Sequence, residues 1–377
     1  MQTGGAQANV EGDVSASLAQ KTLIVHVGDH KTGSTTIQHA FAKKQVLIGG
    51  ECPVYTSPLN HNYLPGLFRA VLDTPNSPDG KKAHQRLSQL AEKLAEPGPR
   101  VSVISAEQFE AFNPVRLHQL LNKYFGGSFD RIRIVAYVRP HLQRLVSSHA
   151  ERIKIGAYSD DLESFFDLCM REKLFLYAPR FKQWCEVFGD DFVLRPFLRS
   201  ALENGSLLDD FIVASLGQVD FTLAQSDNQN ESLSLEDLLR VKYLHGKIGQ
   251  KGGGFHHNYG WMLARVIGAM PNGETTTKVR IHRDLAERAG EHYLEDAREL
   301  DKAMFGGAPL MEKTIQADID SACSVPQASC AEDIFSASEI RSLLLCSQII
   351  EEMLGNGETP WVKYFHKRRL AEMHGDG

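Results

Sequence analysis

Residues 22–27 read TLIVHV, a β-branched apolar run that stops at Gly28. Such a run reads as a buried parallel strand, because a strand covered on both faces loses its polar alternation. GDHKTG follows with turn chemistry. From Ser34 the segment STTIQHAFAKKQVLI carries Ile37, Ala40, Phe41 and Ile48 at near-helical spacing, which predicts a helix. Strand, glycine loop and helix in immediate succession point to a parallel βα unit rather than to hairpins.

The theme recurs. VSVIS at Val101–Ser105 follows the punctuation PGPR, RIRIVAYV spans Arg131–Val138, and FVLRPF at 192–197 is a shorter candidate. Helical sequence follows the first two, and the helix after RIRIVAYV is expected to start near Pro140, since proline suits a first helical turn. The predicted fold class is α/β, a three-layer parallel sheet with helices on both faces, nucleotide-binding-like in its phosphate-loop arrangement. Beyond about Leu207 the pattern turns helical, with KIGQKGGGFHHN and SACSVPQASC as its clearest loops. The expected organisation is a flexible tail over 1–20, an α/β domain over 21–305, and a helical extension over 306–377 packing on the same domain.

Composition narrows the partners. Lys+Arg 41 against Asp+Glu 47 gives a formal charge of −6, which argues against a nucleic-acid coating and requires any anion site to be concentrated. The six cysteines form no C-x-x-C and are too scattered for a disulfide scaffold. The opening residues lack a basic and apolar leader, and no stretch approaches the roughly 18 uninterrupted apolar residues of a span. A soluble cytoplasmic protein is expected, with no integral membrane part; its oligomeric state is not legible.

The loop is Gly28-Asp29-His30-Lys31-Thr32-Gly33-Ser34-Thr35-Thr36. Unpaired N–H groups and the positive end of a helix converge at such a turn, which suits an anion. A nucleotide loop of the form G-x-x-x-x-G-K-[ST] would place lysine where Ser34 stands; here the ammonium is Lys31, inside the loop. No strand ends in an obvious acidic magnesium ligand, so metal-dependent NTP hydrolysis is disfavoured and no metal is expected. Ser34, Thr35 and Thr36 with Lys31 would suit a dense oxyanion. The plainer alternative is a helix capped by Ser34 or Thr32 with a solvated lysine nearby.

A second basic element follows. Between Asp130 and Lys154 six basic residues stand against two acids. Arg139 sits at the carboxyl end of its strand, where open α/β sheets bind ligands. Ser147 comes eight positions later, about two helical turns on, so fork and hydroxyl could hold a second phosphate. An ordinary charged surface helix fits Arg152 and Lys154 better than Arg139.

Together the two motifs resemble the sulfotransferases that use 3′-phosphoadenosine-5′-phosphosulfate (PAPS), particularly bacterial members whose first loop reads like HKTGSTTIQ. The resemblance implies that Lys31, Gly33, Ser34 and Thr35, with neighbours His30, Thr32 and Thr36, hold the 5′-phosphosulfate, and that Arg139 and Ser147 hold the 3′-phosphate. PAPS would be the co-substrate, adenosine 3′,5′-bisphosphate (PAP) the product, and the acceptor a carbohydrate or glycolipid hydroxyl. The looser resemblance runs to about Phe305. Pro140 and His141 follow Arg139 where many members have an acid or asparagine before the proline, and KGGGF at 251–255 reads as a surface loop rather than an adenine loop. Lys31 is the natural neutraliser of the leaving phosphate. Glu107, just after VSVIS, is the first candidate base, with helix capping as its plainer role; His61 in PLNHNYLP is the alternative base, and His30 could contact sulfonate or acceptor. The competing functions are a nucleotide-dependent small-molecule kinase and an inactive nucleotide-binding protein of the same fold.

Overall fold

Four of the apolar runs pair side by side. The computed structural model describes residues 20–224, 232–249, 254–271, 276–355 and 359–374. Most of the expected tail at 1–20, and Lys251 to Gly253 of KGGGF, lie outside the described residues. Strands β1 (Thr22–His26), β2 (Val46–Ile48), β3 (Val101–Ser105), β4 (Arg131–Val138), β5 (Phe192–Pro196) and β6 (Phe221–Leu223) form two sheets. The larger is parallel throughout, in the order β3-β1-β4-β5. In its register His26 stands beside Ser105 and Val135, so the carboxyl ends of three strands share one edge.

The helices in chain order are α1 (Ser34–Ala42), α2 (Leu64–Asp73), α3 (Pro78–Leu94), α4 (Pro114–Phe125), α5 (His141–Lys154), α6 (Leu162–Arg171) and α7 (Ala178–Phe188). They continue as α8 (Leu207–Leu216), α9 (Leu235–Lys247), α10 (Phe255–Gly268), α11 (Arg283–Met304), α12 (Leu310–Asp320), α13 (Ala337–Gly355) and α14 (Trp361–His374). No described helix is long and apolar enough to cross a membrane.

The chain divides into two compact units, Met1–Arg139 with Phe181–Asp227, and Pro140–Arg180 with Asn228–Gly377. In the first, every residue of β1 and β3 is buried. Alternation sends Ile24, Val103, Val135 and Tyr137 to one face, where they pack with Ile37 and Phe41 of α1 and Leu208, Phe211 and Ile212 of α8. Phe192 serves the other face, stacked on Phe181 and packed at a tilt against Trp184 of α7. Buried Asp210 ties α8 to the sheet by accepting from Tyr137 Oη at 2.7 Å and Arg195 Nε at 3.1 Å. A parallel sheet flanked by helices, as the strand pattern predicts, is therefore present.

One element departs from expectation. The helix beginning at Ser34 ends at Ala42, not near Ile48, because Lys44 takes φ 54° and turns the chain into β2. Val46–Ile48 then pairs antiparallel with β6, which interrupts the region expected to be helical. Ile48 falls at helical spacing from Phe41 by coincidence; both are buried in the same cluster for different reasons.

In the second unit α11 is the organiser. Its Asp296, nearly inaccessible, accepts from the Tyr177 N–H at 2.8 Å, the Ala178 N–H at 3.0 Å and His141 Nε2 at 2.9 Å. These bonds draw 140–180 to sequence more than a hundred residues away. Asp301 accepts the Met311 and Glu312 N–H groups at 2.9 and 3.1 Å, supplying α12 with the cap that its own Pro309 lacks. α11 and α12, which flank the sequence-based division at 305/306, thus pack within one unit. Ile248, Phe255, Tyr259 and Phe365 form a further core joining α10 and α14.

Candidate functional site

Hydrogen bonds accepted by the side chains of Ser77, Asn113, Asp161, Ser206 and Ser234 cap α3, α4, α6, α8 and α9. α1 has no such cap. Its N-cap is Gly33 at φ 80°, with no side-chain hydrogen bond. Thr32 and Ser34, the expected capping hydroxyls, instead donate to the Asp29 carbonyl at 2.6 and 3.3 Å. Among the described residues, the N–H groups of Gly33, Ser34 and Thr35 have no protein acceptor. Thr32 and Ser34 are buried, whereas Lys31, Thr35 and Thr36 remain half-exposed. The loop is thus braced internally through Asp29 while its amides stay available, an arrangement suited to an anion.

The backbone before it is equally constrained. The Val27 N–H donates to Val135 at 3.0 Å, which carries the chain beyond β1 along β4. Gly28 has φ 79°, and a Cβ there would stand 2.8 Å from Glu107 Cα. Only glycine lets the loop cross Glu107 so closely. Gly28→Ala is expected to cost about 1–3 kcal/mol through strain and to push Glu107 away from the loop, measurable by urea unfolding.

Arg139 leaves the carboxyl end of β4 and reaches the loop. Its Nη1 donates to the Lys31 carbonyl at 3.1 Å, and its guanidinium lies 5.7 Å from the Phe197 ring centroid. Phe197 is held by its own N–H to the Val138 carbonyl at 2.8 Å. Lys31 has φ 64°, the left-handed conformation that aims this carbonyl. The loop and Arg139, expected from separate motifs, meet at one sheet edge. Ser147 lies half-buried on α5 in the second unit.

Glu107 opens a 3₁₀ turn, Glu107–Ala111, directly after β3. Its Oε2 is 2.9 Å from His30 Nδ1, and Glu110 Oε2 accepts the His30 N–H at 3.1 Å. Burial pushes the Glu107 carboxyl up, but hydrogen bonds from His30 and Gln38 and the charges of His30 and His26 outweigh it. The net position is below the usual carboxylate range.

Behind Glu107 runs a buried polar chain that sequence reasoning missed. Gln38 Nε2 donates to Ser105 Oγ at 3.2 Å, and Ser105 Oγ is 2.8 Å from His26 Nδ1. Burial lowers His26 to about 4 against the opposing charge of Glu107. A histidine inside an otherwise apolar strand was the one sequence signal for this chain. His61 joins from the other side, its Nδ1 accepting the Ser105 N–H at 3.2 Å and its Nε2 lying 3.2 Å from Thr56 Oγ1. It is wholly inaccessible, and burial lowers it to about 3. The structure thus brings Glu107 and His30 together at the loop and holds His61 within the core with both ring nitrogens engaged.

Elsewhere in this unit a cavity of about 240 Å³ is lined by Ile48, Gly49, Glu51, Pro53, Pro99, Arg100 and Val101. It lies at the amino end of β3, away from the loop. Among the described residues no group of three or more His, Cys, Asp or Glu is arranged to hold a metal ion.

No family model and no curated protein matches this chain. Among solved structures, the crystal structure of a sulfotransferase from Alicyclobacillus acidocaldarius aligns with 75% of this chain and 95% of its own at 12% identity, with a TM-score of 0.43.

Proposed function

We propose that this protein is a sulfotransferase that moves the sulfuryl group of PAPS to an acceptor hydroxyl by in-line displacement. The observation that carries this reading is the junction of Arg139 Nη1 with the Lys31 carbonyl at 3.1 Å, beside a helix N-terminus whose cap is glycine. A guanidinium from a distant part of the chain thus reaches the backbone of the loop that carries Lys31. In this reading the amides of Gly33, Ser34 and Thr35 and the hydroxyls of Thr35 and Thr36 hold the 5′-phosphosulfate, with Thr32 and Ser34 bracing the loop. Lys31 neutralises the 5′-phosphate as the S–O bond breaks, because that oxygen gains charge only then. Arg139 takes the 3′-phosphate, and a carbohydrate or other hydroxyl is the acceptor. A lysine inside the loop, rather than after its second glycine, separates this site from magnesium-dependent kinases.

Isothermal titration calorimetry tests the reading. PAP is expected to bind without magnesium and more tightly than AMP or ATP; equal binding of ATP with magnesium dependence would favour a kinase instead. Arg139→Ala is expected to weaken PAP about 10- to 100-fold, the loss of one or two charged hydrogen bonds, while leaving AMP affinity unchanged. An equal loss for both nucleotides would mean that Arg139 serves the loop rather than the second phosphate. Transfer of labelled sulfur from PAPS across a panel of simple alcohols and saccharides then identifies the acceptor class.

A further inference from the structure

His30 stands between two carboxylates at the edge of the loop. Its Nδ1 is 2.9 Å from Glu107 Oε2, and its Nε2 is 3.9 Å from Glu110 Oε2, which also accepts the His30 backbone N–H. An ionised carboxylate only accepts, so the proton in the shorter contact belongs to His30 Nδ1. A neutral imidazole with Nδ1–H carries its lone pair on Nε2. His30 is also the most accessible of the three, its side chain 48% exposed against 19% for Glu107 and 20% for Glu110.

We propose that His30 Nε2 receives the proton of the acceptor hydroxyl, and that Glu107 is the positioning residue that fixes the Nδ1–H tautomer. This deepens the sulfotransferase reading and rests on it. The acceptor oxygen forms a bond to sulfur as the bond from sulfur to the 5′-phosphate oxygen breaks, and that electron pair stays on PAP. The acceptor's proton passes to Nε2, and the imidazolium lies between two carboxylates until it releases the proton to water. Oxygen, sulfur and charge all balance without a further reactant.

Geometry favours this division of labour. Glu107 is fixed from behind: Gly28 crosses its backbone, Gln38 hydrogen-bonds it, and Gln38 is anchored on Ser105 and so on His26. A carboxylate held this way is a good orienter. Its oxygens are already engaged by His30 and Gln38, whereas His30 is, of the three, the side chain most exposed to an incoming acceptor. Around His30 the charged and titratable groups include Glu107 and Glu110 on the 3₁₀ turn, Lys31 next to it in the loop, and His26 behind Glu107.

Heteronuclear NMR of nitrogen-labelled histidines tests the dyad directly. At neutral to mildly alkaline pH, His30 is expected to show Nδ1–H and an unprotonated Nε2. Glu107→Gln, whose amide can donate to Nδ1, is expected to mix or reverse the tautomers, and Glu107→Asp to restore the original one in part. A wild-type Nε2–H tautomer, or a tautomer indifferent to Glu107→Gln, overturns the proposal. Kinetics supplies the second arm. With labelled PAPS and an alkyl alcohol or saccharide acceptor, His30→Gln is expected to lose about 10²- to 10⁴-fold in kcat with PAP affinity unchanged, the usual range for a general base. With para-nitrophenol, which ionises unaided, the loss is expected to be small. Near-normal turnover of the alcohol by His30→Gln overturns the base role. A wild-type protein that neither binds PAP nor transfers label overturns the sulfotransferase reading and the base role with it, while the NMR result still decides whether Glu107 sets the tautomer.

Discussion

Stability of the first unit is expected to fall steeply as the pH drops from about 6.5 to about 3, ending in acid unfolding. Buried His26 and His61 carry the effect. Burial lowers His26 to about 4 and His61 to about 3, whereas in the unfolded chain both titrate near about 6.5. Above that pH neither state binds the protons and the full stability is present. Below it the unfolded chain takes protons that the folded chain refuses until the folded values are reached, so stability is lost as pH falls through that window. At about 1.4 kcal/mol for each unit of pKa difference, His26 accounts for about 3 kcal/mol and His61 for about 5 kcal/mol. Together these approach the whole stability of an ordinary domain. Denaturant titrations at stepped pH are expected to give a slope of about 1.4 kcal/mol per pH unit from each histidine, and His61→Gln should remove one share. A flat profile would mean that both imidazoles gain protons without unfolding.

The same two histidines show where sequence reading stops. β1, β3, β4 and β5 are legible because each is a short run rich in apolar and β-branched residues, and each ends at a turn or a change of period. β2 and β6 are three residues each, too short for a period, and the turn before β2 is made by Lys44 in a left-handed conformation rather than by glycine or proline. The loop glycines are legible since Gly28 and Gly33 both take positive φ. What Gly28 makes room for is not, because Glu107 lies 79 residues away and only the parallel register of β1 and β3 brings it there. His61 looks like a loop residue in sequence; its burial depends on a Ser105 N–H reached from 44 positions along the chain. The two-unit division is hidden for a similar reason, since 140–180 interrupts the α/β pattern yet is bound by Asp296 of α11.

Lys31→Ala is expected to lower kcat for sulfuryl transfer by about 100- to 1,000-fold while changing PAP affinity far less, the magnitude typical of losing one group aimed at developing charge. Two features of the loop make the substitution a clean one. Lys31 sits at φ 64°, where alanine meets much the same steric cost as lysine, so the turn keeps its shape; glycine would relax it. The contact with Arg139 uses the Lys31 carbonyl, which alanine retains, so the guanidinium keeps its anchor at 3.1 Å. The substitution therefore removes the ammonium and leaves the backbone contact with Arg139 in place. On the proposed reading the bridging oxygen of the phosphosulfate carries little charge in the ground state, where the amides of Gly33, Ser34 and Thr35 would already address the phosphate. As sulfur leaves, that oxygen becomes a full phosphate oxygen, and the ammonium gains most of its interaction then. Steady-state rates with labelled PAPS, set beside calorimetry with PAP, separate the two contributions. A fall in affinity as large as the fall in kcat would make Lys31 a ground-state binder and leave stabilisation of the leaving phosphate to the helix N-terminus alone.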